Sequence, residues 1–216
     1  VLVDTLAAIH AVDPARAGLS DLGRPDGFVE RAIRGWAKRG AAAAEGGAAE
    51  RCVADLARWL DARRDEAPRN PPTLLHCDFK LDNLIFARDA LVPVAVVDWD
   101  MATRGEPLFD LATMLSYWTE PSDPECMHRL GQMPTARHGF PPREEVARRY
   151  AERTGLALDG FAVLRILCLF KLGVVFLQLF ARWRAGSLGD ERYAGFEAIG
   201  NGILDFAHDL AHPPAR

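Results

Sequence analysis

Between Leu74-Leu75 and Leu84-Ile85-Phe86 lies the octet His76-Cys77-Asp78-Phe79-Lys80-Leu81-Asp82-Asn83. It holds a histidine, two aspartates, a lysine and an asparagine, and burying such groups strips them of water at a cost. Apolar flanks around so polar a run predict a loop held rigidly at the edge of a cleft. Twenty residues past Asp78, the apolar run Val94-Ala95-Val96-Val97 ends in Asp98-Trp99-Asp100. These types suit phosphoryl transfer. A carboxylate such as Asp78 can orient an acceptor hydroxyl and take its proton. The oxygens of Asn83 and Asp98 are hard ligands suited to Mg²⁺. Lys80, two residues after the base, can neutralise charge on the transferred group.

The kinase catalytic loop runs His-x-Asp-Leu-x-x-x-Asn, and a later strand-end Asp binds metal. His76, Asp78 and Asn83 stand at those spacings, with Phe79 in the Leu place. Adding Asp98-Trp99-Asp100 and Gly105-Glu106-Pro107-Leu108-Phe109-Asp110-Leu111-Ala112, the chain resembles the aminoglycoside phosphotransferase family. Within that family it most resembles the branch fused to, or found beside, acyl-CoA dehydrogenases. The resemblance implies Asp78 as catalytic base and Asn83 and Asp98 as metal ligands. It further implies His76 and Asp110 as supports of the catalytic loop, and leaves Asp100 without an assigned role. It implies ATP, or GTP in its place, with Mg²⁺ and a small hydroxylated substrate. Cys77 replaces the family's usual Gly, and Glu106 its usual Asp. A side chain at position 77 matters if the loop needs a positive φ there.

The resemblance also implies a two-lobed fold with a smaller β-rich lobe first. No Gly-rich phosphate loop or Val-Ala-x-Lys strand precedes the octet, and Gly46-Gly47 sits in an Ala-rich stretch. The 216 residues are therefore read as one unit, the C-terminal helical lobe of a kinase-like fold without its N-terminal lobe. The expected fold is mainly α with a small β-hairpin region, an α+β arrangement, and residues 73–112 carry the catalytic and metal-binding segment.

Composition bounds the alternatives. Hydrophobic residues make up 49% and charged residues 26%, ordinary for a soluble domain. A net charge of −4 implies no broad basic surface for nucleic acid. Four scattered cysteines without a Cys-x-x-Cys pair argue against zinc and fit a reducing compartment, so a cytoplasmic protein is expected.

The elements follow from periodicity. Helices are expected over 1–11, 28–39 and 48–64, with a weak linker of small residues at 40–47. Leu84-Ile85-Phe86 and Val92 to Val97 read as two strands joined at Arg88-Asp89. Pro107 suits the start of a helix to about Tyr117. Residues 119–142, with five prolines, read as a long loop that makes substrate-specific contacts. Helices follow from Pro142, over 161–180 and over 191–209, with a frayed end at Pro213-Pro214. The 161–180 stretch has the length of a membrane span, but Arg165, Lys171 and Gln178 favour a buried core helix. His208 and His212, four apart, read as a solvated helix end.

Two other functions stay open. One is a non-catalytic kinase-like binding module. The other is an Asp-x-Asp phosphatase with Asp98 as nucleophile, although Ala102 stands where that motif wants Thr or Val, and a parallel α/β sheet is required.

Overall fold

A computed structural model of the chain describes residues 1–213. The expected frayed end at Pro213-Pro214 runs out of this range. Eight helices and four short strands are described: α1 (Leu2–His10), α2 (Phe28–Ala44), α3 (Glu50–Ala62), β1 (Thr73–Leu75), β2 (Leu84–Phe86), β3 (Pro93–Val96), β4 (Thr103–Gly105), α4 (Pro107–Ser116), α5 (Glu125–Leu130), α6 (Arg143–Thr154), α7 (Phe161–Arg184) and α8 (Phe196–Ala211). The protein is mainly α, the helical lobe of a kinase-like fold.

Helix α7 is the axis of the core. Its 24 residues are apolar enough to cross a membrane by length and composition, yet 72% of its most apolar stretch is buried inside the protein. It packs against α4, α2 and α8. The crossing with α8 is close because glycines face each other: a Cβ on Gly173 would stand 2.7 Å from Leu204, and one on Gly200 would stand 3.0 Å from the Gly173 carbonyl. Helix α3 buries Val53, Leu56 and Leu60, while Cys52 and Trp59 stay half-exposed at the margin of the stripe.

Two expectations are corrected. The weak linker at 40–47 is mostly helix, since α2 runs on to Ala44 before Gly46 turns the chain at φ 68°. Alanine is the best helix former, and Gly40 lets α2 lie close to Val174 and Val53. The loop at 119–142 contains α5, capped by Gly131 at φ 62°. That segment is tied down by Arg143, whose Nη1 and Nη2 each meet the Asp123 carboxylate at 2.6 Å while Nη1 also reaches the Trp118 carbonyl at 2.7 Å.

The β structure consists of two antiparallel pairs, β1–β4 and β2–β3. The hairpin β2–β3 was expected; β1–β4 was not. No parallel sheet exists among the described residues, so the scaffold of an Asp-x-Asp phosphatase is missing. In β1–β4, Thr73 faces Gly105 and Leu75 faces Thr103. In β2–β3, Leu84 faces Val96, with a bulge between Ile85 and Phe86. The octet leaves β1 and enters β2, so both ladders fix its ends.

Candidate active site

The loop after β1 is held from beneath by one carboxylate. Asp110, on the first turns of α4, is fully buried. Its Oδ2 accepts the His76 backbone N–H at 2.6 Å, and its Oδ1 accepts the Cys77 N–H at 2.7 Å. Helix α4 is in turn anchored at its start. Glu106 caps it by accepting the Leu108 N–H at 3.1 Å, and also accepts from the Asn70 N–H at 2.7 Å. Pro107 follows, where a missing N–H costs nothing.

His76 locks the loop to the strand that ends in Asp98. Its Nε2 donates to the Val97 carbonyl at 2.9 Å, while its Nδ1 accepts the Asp78 N–H at 3.3 Å. Both bonds require the neutral ring with its proton on Nε2. The Val97 N–H donates to the Asn83 carbonyl at 3.0 Å and extends the β2–β3 ladder by one bond. Asp78, Asn83 and Asp98 are thus gathered at one edge, although Asp78 and Asp98 lie twenty residues apart.

Cys77 has φ 64°, and Asp98 has φ 66°. For a non-glycine residue the left-handed conformation costs roughly 1–2 kcal/mol. The loop does need a positive φ at Cys77, and the chain adopts it with a cysteine. Asp110 from one side and Lys171 from the other stabilise that geometry. Lys171 lies mid-way along apolar α7, is buried, and donates from Nζ to the Cys77 carbonyl at 2.6 Å. Its ammonium also lies 5.4 Å above the Phe109 ring. The Cys77 thiol is inert as a nucleophile, because burial and the Asp110 charge push its pKa far up.

Asp78 is half-buried, with its carboxylate in three hands. The Tyr117 hydroxyl donates to Oδ1 at 2.7 Å, Lys80 forms an ion pair with Oδ2, and the Asn83 Nδ2 reaches Oδ2 at 3.5 Å. The Asn83 Nδ2 also donates to the Asp78 carbonyl at 2.8 Å, which leaves the amide oxygen for other partners. The Lys80 ammonium sits 5.0 Å from the centre of the Tyr117 ring. Burial and the Asp78 charge hold the Tyr117 phenol well above its usual range, so it stays a donor. Asp98 and Asp100 are exposed around the short turn Trp99–Met101. No cluster of three or more His, Cys, Asp or Glu side chains able to hold a metal occurs among the described residues.

Behind Asp110 runs a buried relay. His10 Nε2 lies 3.4 Å from Asp110 Oδ2, and His10 Nδ1 lies 2.5 Å from the Tyr150 hydroxyl. Tyr117, Lys171, His10 and Tyr150 were not foreseen as parts of this site. Only Lys171 carried a signal, as a cation midway along an apolar helix. The rings of His208 and His212 lie 4.6 Å apart, tilted by 45°, at the end of α8.

Comparisons with known proteins agree with this fold. The model of the phosphotransferase enzyme family called APH matches residues 2–158. Rat acyl-CoA dehydrogenase family member 11 is 30% identical over 192 residues, covering 88% of this chain and 24% of the rat protein. Mouse acyl-CoA dehydrogenase family member 10 is 27% identical over 210 residues, covering 95% of this chain and 19% of the mouse protein. The chain therefore spans about a quarter or less of the curated relatives it matches. The crystal structure of a "putative aminoglycoside phosphotransferase" from Ralstonia eutropha superposes with a TM-score of 0.83 at 22% identity, over 100% of this chain and 64% of that one. With the octet, the strand-end aspartate and the buried Asp110 in one structure, the chain belongs to the APH phosphotransferase family.

Proposed function

We propose that the protein transfers the γ-phosphoryl group of ATP to a hydroxyl of a small metabolite, with Asp78 as the base. The observation that carries this reading is the Asp78 carboxylate. It is oriented by Tyr117 and Lys80, held on a loop with two ladders and a buried carboxylate beneath it, and still open at the surface. An unoriented aspartate on a turn would have none of these supports. In this reading Asp78 fixes the acceptor hydroxyl and takes its proton. Lys80 moves between the Asp78 carboxylate and the phosphoryl oxygens.

Mg²⁺, when bound, would neutralise phosphate charge, and such an ion needs only a few protein oxygens. The Asn83 amide oxygen and the Asp98 carboxylate fit that demand as two hard donors beside the base. A set of three acidic or imidazole ligands is not needed.

The exposed apolar surface of the hairpin supports a larger assembly. Ile85, Val94 and Met101 are 49%, 62% and 52% exposed on or just beyond β2–β3. A β-rich lobe laid over this face would cover them and close over the nucleotide, as an isolated patch of this kind marks an interaction site. The relatives' names suggest an acyl-CoA dehydrogenase as fusion or neighbour. The alternative is a non-catalytic module that binds nucleotide alone.

The test is Asp78→Asn in the full-length protein, assayed with ATP and a panel of hydroxylated metabolites. Turnover is expected to fall by at least a hundredfold, the scale of general-base catalysis, with nucleotide binding kept. Nucleotide binding without turnover in the wild type would establish the binding module instead.

A further inference from the structure

A second pocket lies on the far side of α4 from Asp78. It has a volume of about 830 Å³ and opens between α4, α6, the start of α7 and the end of α8. Leu115, Leu158, Phe161, Ile166 and Leu210 supply apolar walls. Leu115 and Tyr117 are two residues apart, so they point about 200° away from each other around the helix. Since Tyr117 bonds Asp78, Leu115 looks away from the candidate active site.

Arg165 lines this pocket. Its Nη1 is buried and has no hydrogen-bond partner. The other cations at the pocket are committed. Arg143 is bridged to Glu120 and Asp123, and Arg148 to Glu152. Burial and the neighbouring Arg143 charge lower the Arg165 pKa only to about 10, so the group is charged at neutral pH. Asp123 and Glu120 act on Arg165 only at a distance and are already bridged to Arg143. A buried guanidinium nitrogen without a bonded partner is costly, and natural proteins pair such groups or use them for ligands.

We infer that this pocket binds an amphipathic monoanion, a carboxylate on an apolar body, with Arg165 receiving the carboxylate. The planar guanidinium matches a carboxylate in two parallel bonds. Apolar walls with a single oriented polar group, in a volume of this size, are the usual make-up of a small-molecule site. A dianion fits less well, because Glu144 and Glu145 also line the pocket. The inference does not depend on phosphoryl transfer at Asp78.

Calorimetric titration and thermal shift of the full-length protein, with octanoate and phenylpropionate as probes, test it. Octanol and inorganic phosphate serve as controls. Saturable binding of the two carboxylates is expected, with octanol weaker by about tenfold to a hundredfold, the worth of a charge-assisted hydrogen bond. Arg165→Met should lose the same factor while melting no lower than wild type without ligand, since it removes an unpaired buried charge. Arg148→Ala, at a cation already paired, should bind as wild type does. Equal binding of octanol, unchanged binding by Arg165→Met, or no saturable binding of either carboxylate would overturn the assignment. Tighter binding of phosphate than of octanoate would overturn it as well.

Discussion

Replacing Asp110 by Asn keeps the side chain's shape and removes its charge. In the native protein two backbone N–H groups, of His76 and Cys77, converge on its two oxygens at 2.6 and 2.7 Å in a fully buried site. An asparagine can accept one of them through its oxygen. It must turn its own NH₂ toward the other, so that N–H faces N–H. One charge-assisted bond worth roughly 1.5–3 kcal/mol is lost, and the other is reduced to a neutral bond worth about 1 kcal/mol. The left-handed Cys77 then loses one of its two restraints. The sum is about 2–5 kcal/mol, a large share of the roughly 5–15 kcal/mol that holds a domain together. Chemical denaturation of the full-length protein measures this loss. Hydrogen exchange locates it, with the His76 and Cys77 amides expected to exchange faster than the rest of the core. Turnover should fall by about a hundredfold, as misplacing a reacting group by about 1 Å does. A cost under about 1 kcal/mol, with those two amides still protected, would refute the idea that Asp110 carries the loop.

Four further outcomes are expected. Lys171→Met leaves the Cys77 carbonyl unpartnered but removes the cost of burying an ammonium, so stability should shift by no more than about 2 kcal/mol. Turnover should fall by more than that shift explains, and wild-type turnover would reject Lys171 as a positioning residue. Cys77→Gly should stay within about 1 kcal/mol of wild type, since relief of the left-handed backbone offsets lost packing. Cys77→Val should be clearly less stable in the same melt, because a branched side chain resists that φ. For Tyr117 the folded-state pKa is raised above its ordinary 10.0, so its contribution is complete below pH 10 and lost as the pH climbs further. The difference in phenolate absorbance between wild type and Tyr117→Phe should therefore stay flat through pH 10, and an earlier rise would show the phenol to be free. Joining residues 1–216 to a β-rich lobe that covers the hairpin face should raise ATP turnover far above that of residues 1–216 alone, because a triphosphate held from one side stays in water, where each contact is weak; comparable rates would contradict this.

What could be read from the sequence was the local part of the site. His76, Asp78 and Asn83 fall within eight residues, so their spacing alone specifies a loop, and the β2–β3 hairpin that follows is short. Asp110 became visible only through the family resemblance, since an aspartate near a helix start is otherwise an ordinary N-terminal charge. The β1–β4 pair was hidden because three-residue strands show no alternation to detect. The Ala-rich end of α2 misled because small residues read as linker, yet propensity favoured the helix and Gly40 gave it a close packing partner. Tyr117, Lys171 and His10 were out of reach for a different reason. Each meets the site across 39, 94 and 100 positions of chain respectively. A tyrosine closing a helix and a histidine on an apolar face look the same whether or not a carboxylate awaits them.

Lys171 shows how such residues can be recovered. Placing an ammonium in an apolar helix costs several kcal/mol unless something specific receives it. The sequence alone therefore says that a buried acceptor exists, without saying which. The structure names it as the carbonyl of Cys77, the one residue of the octet forced into a left-handed turn. Arg165, six residues earlier on the same helix, has a buried Nη1 with no hydrogen-bond partner within the described residues. The two cations thus divide by partner: Lys171 is satisfied by the strained loop that presents Asp78, and the Arg165 Nη1, buried without a partner, is the group proposed to receive a ligand from outside.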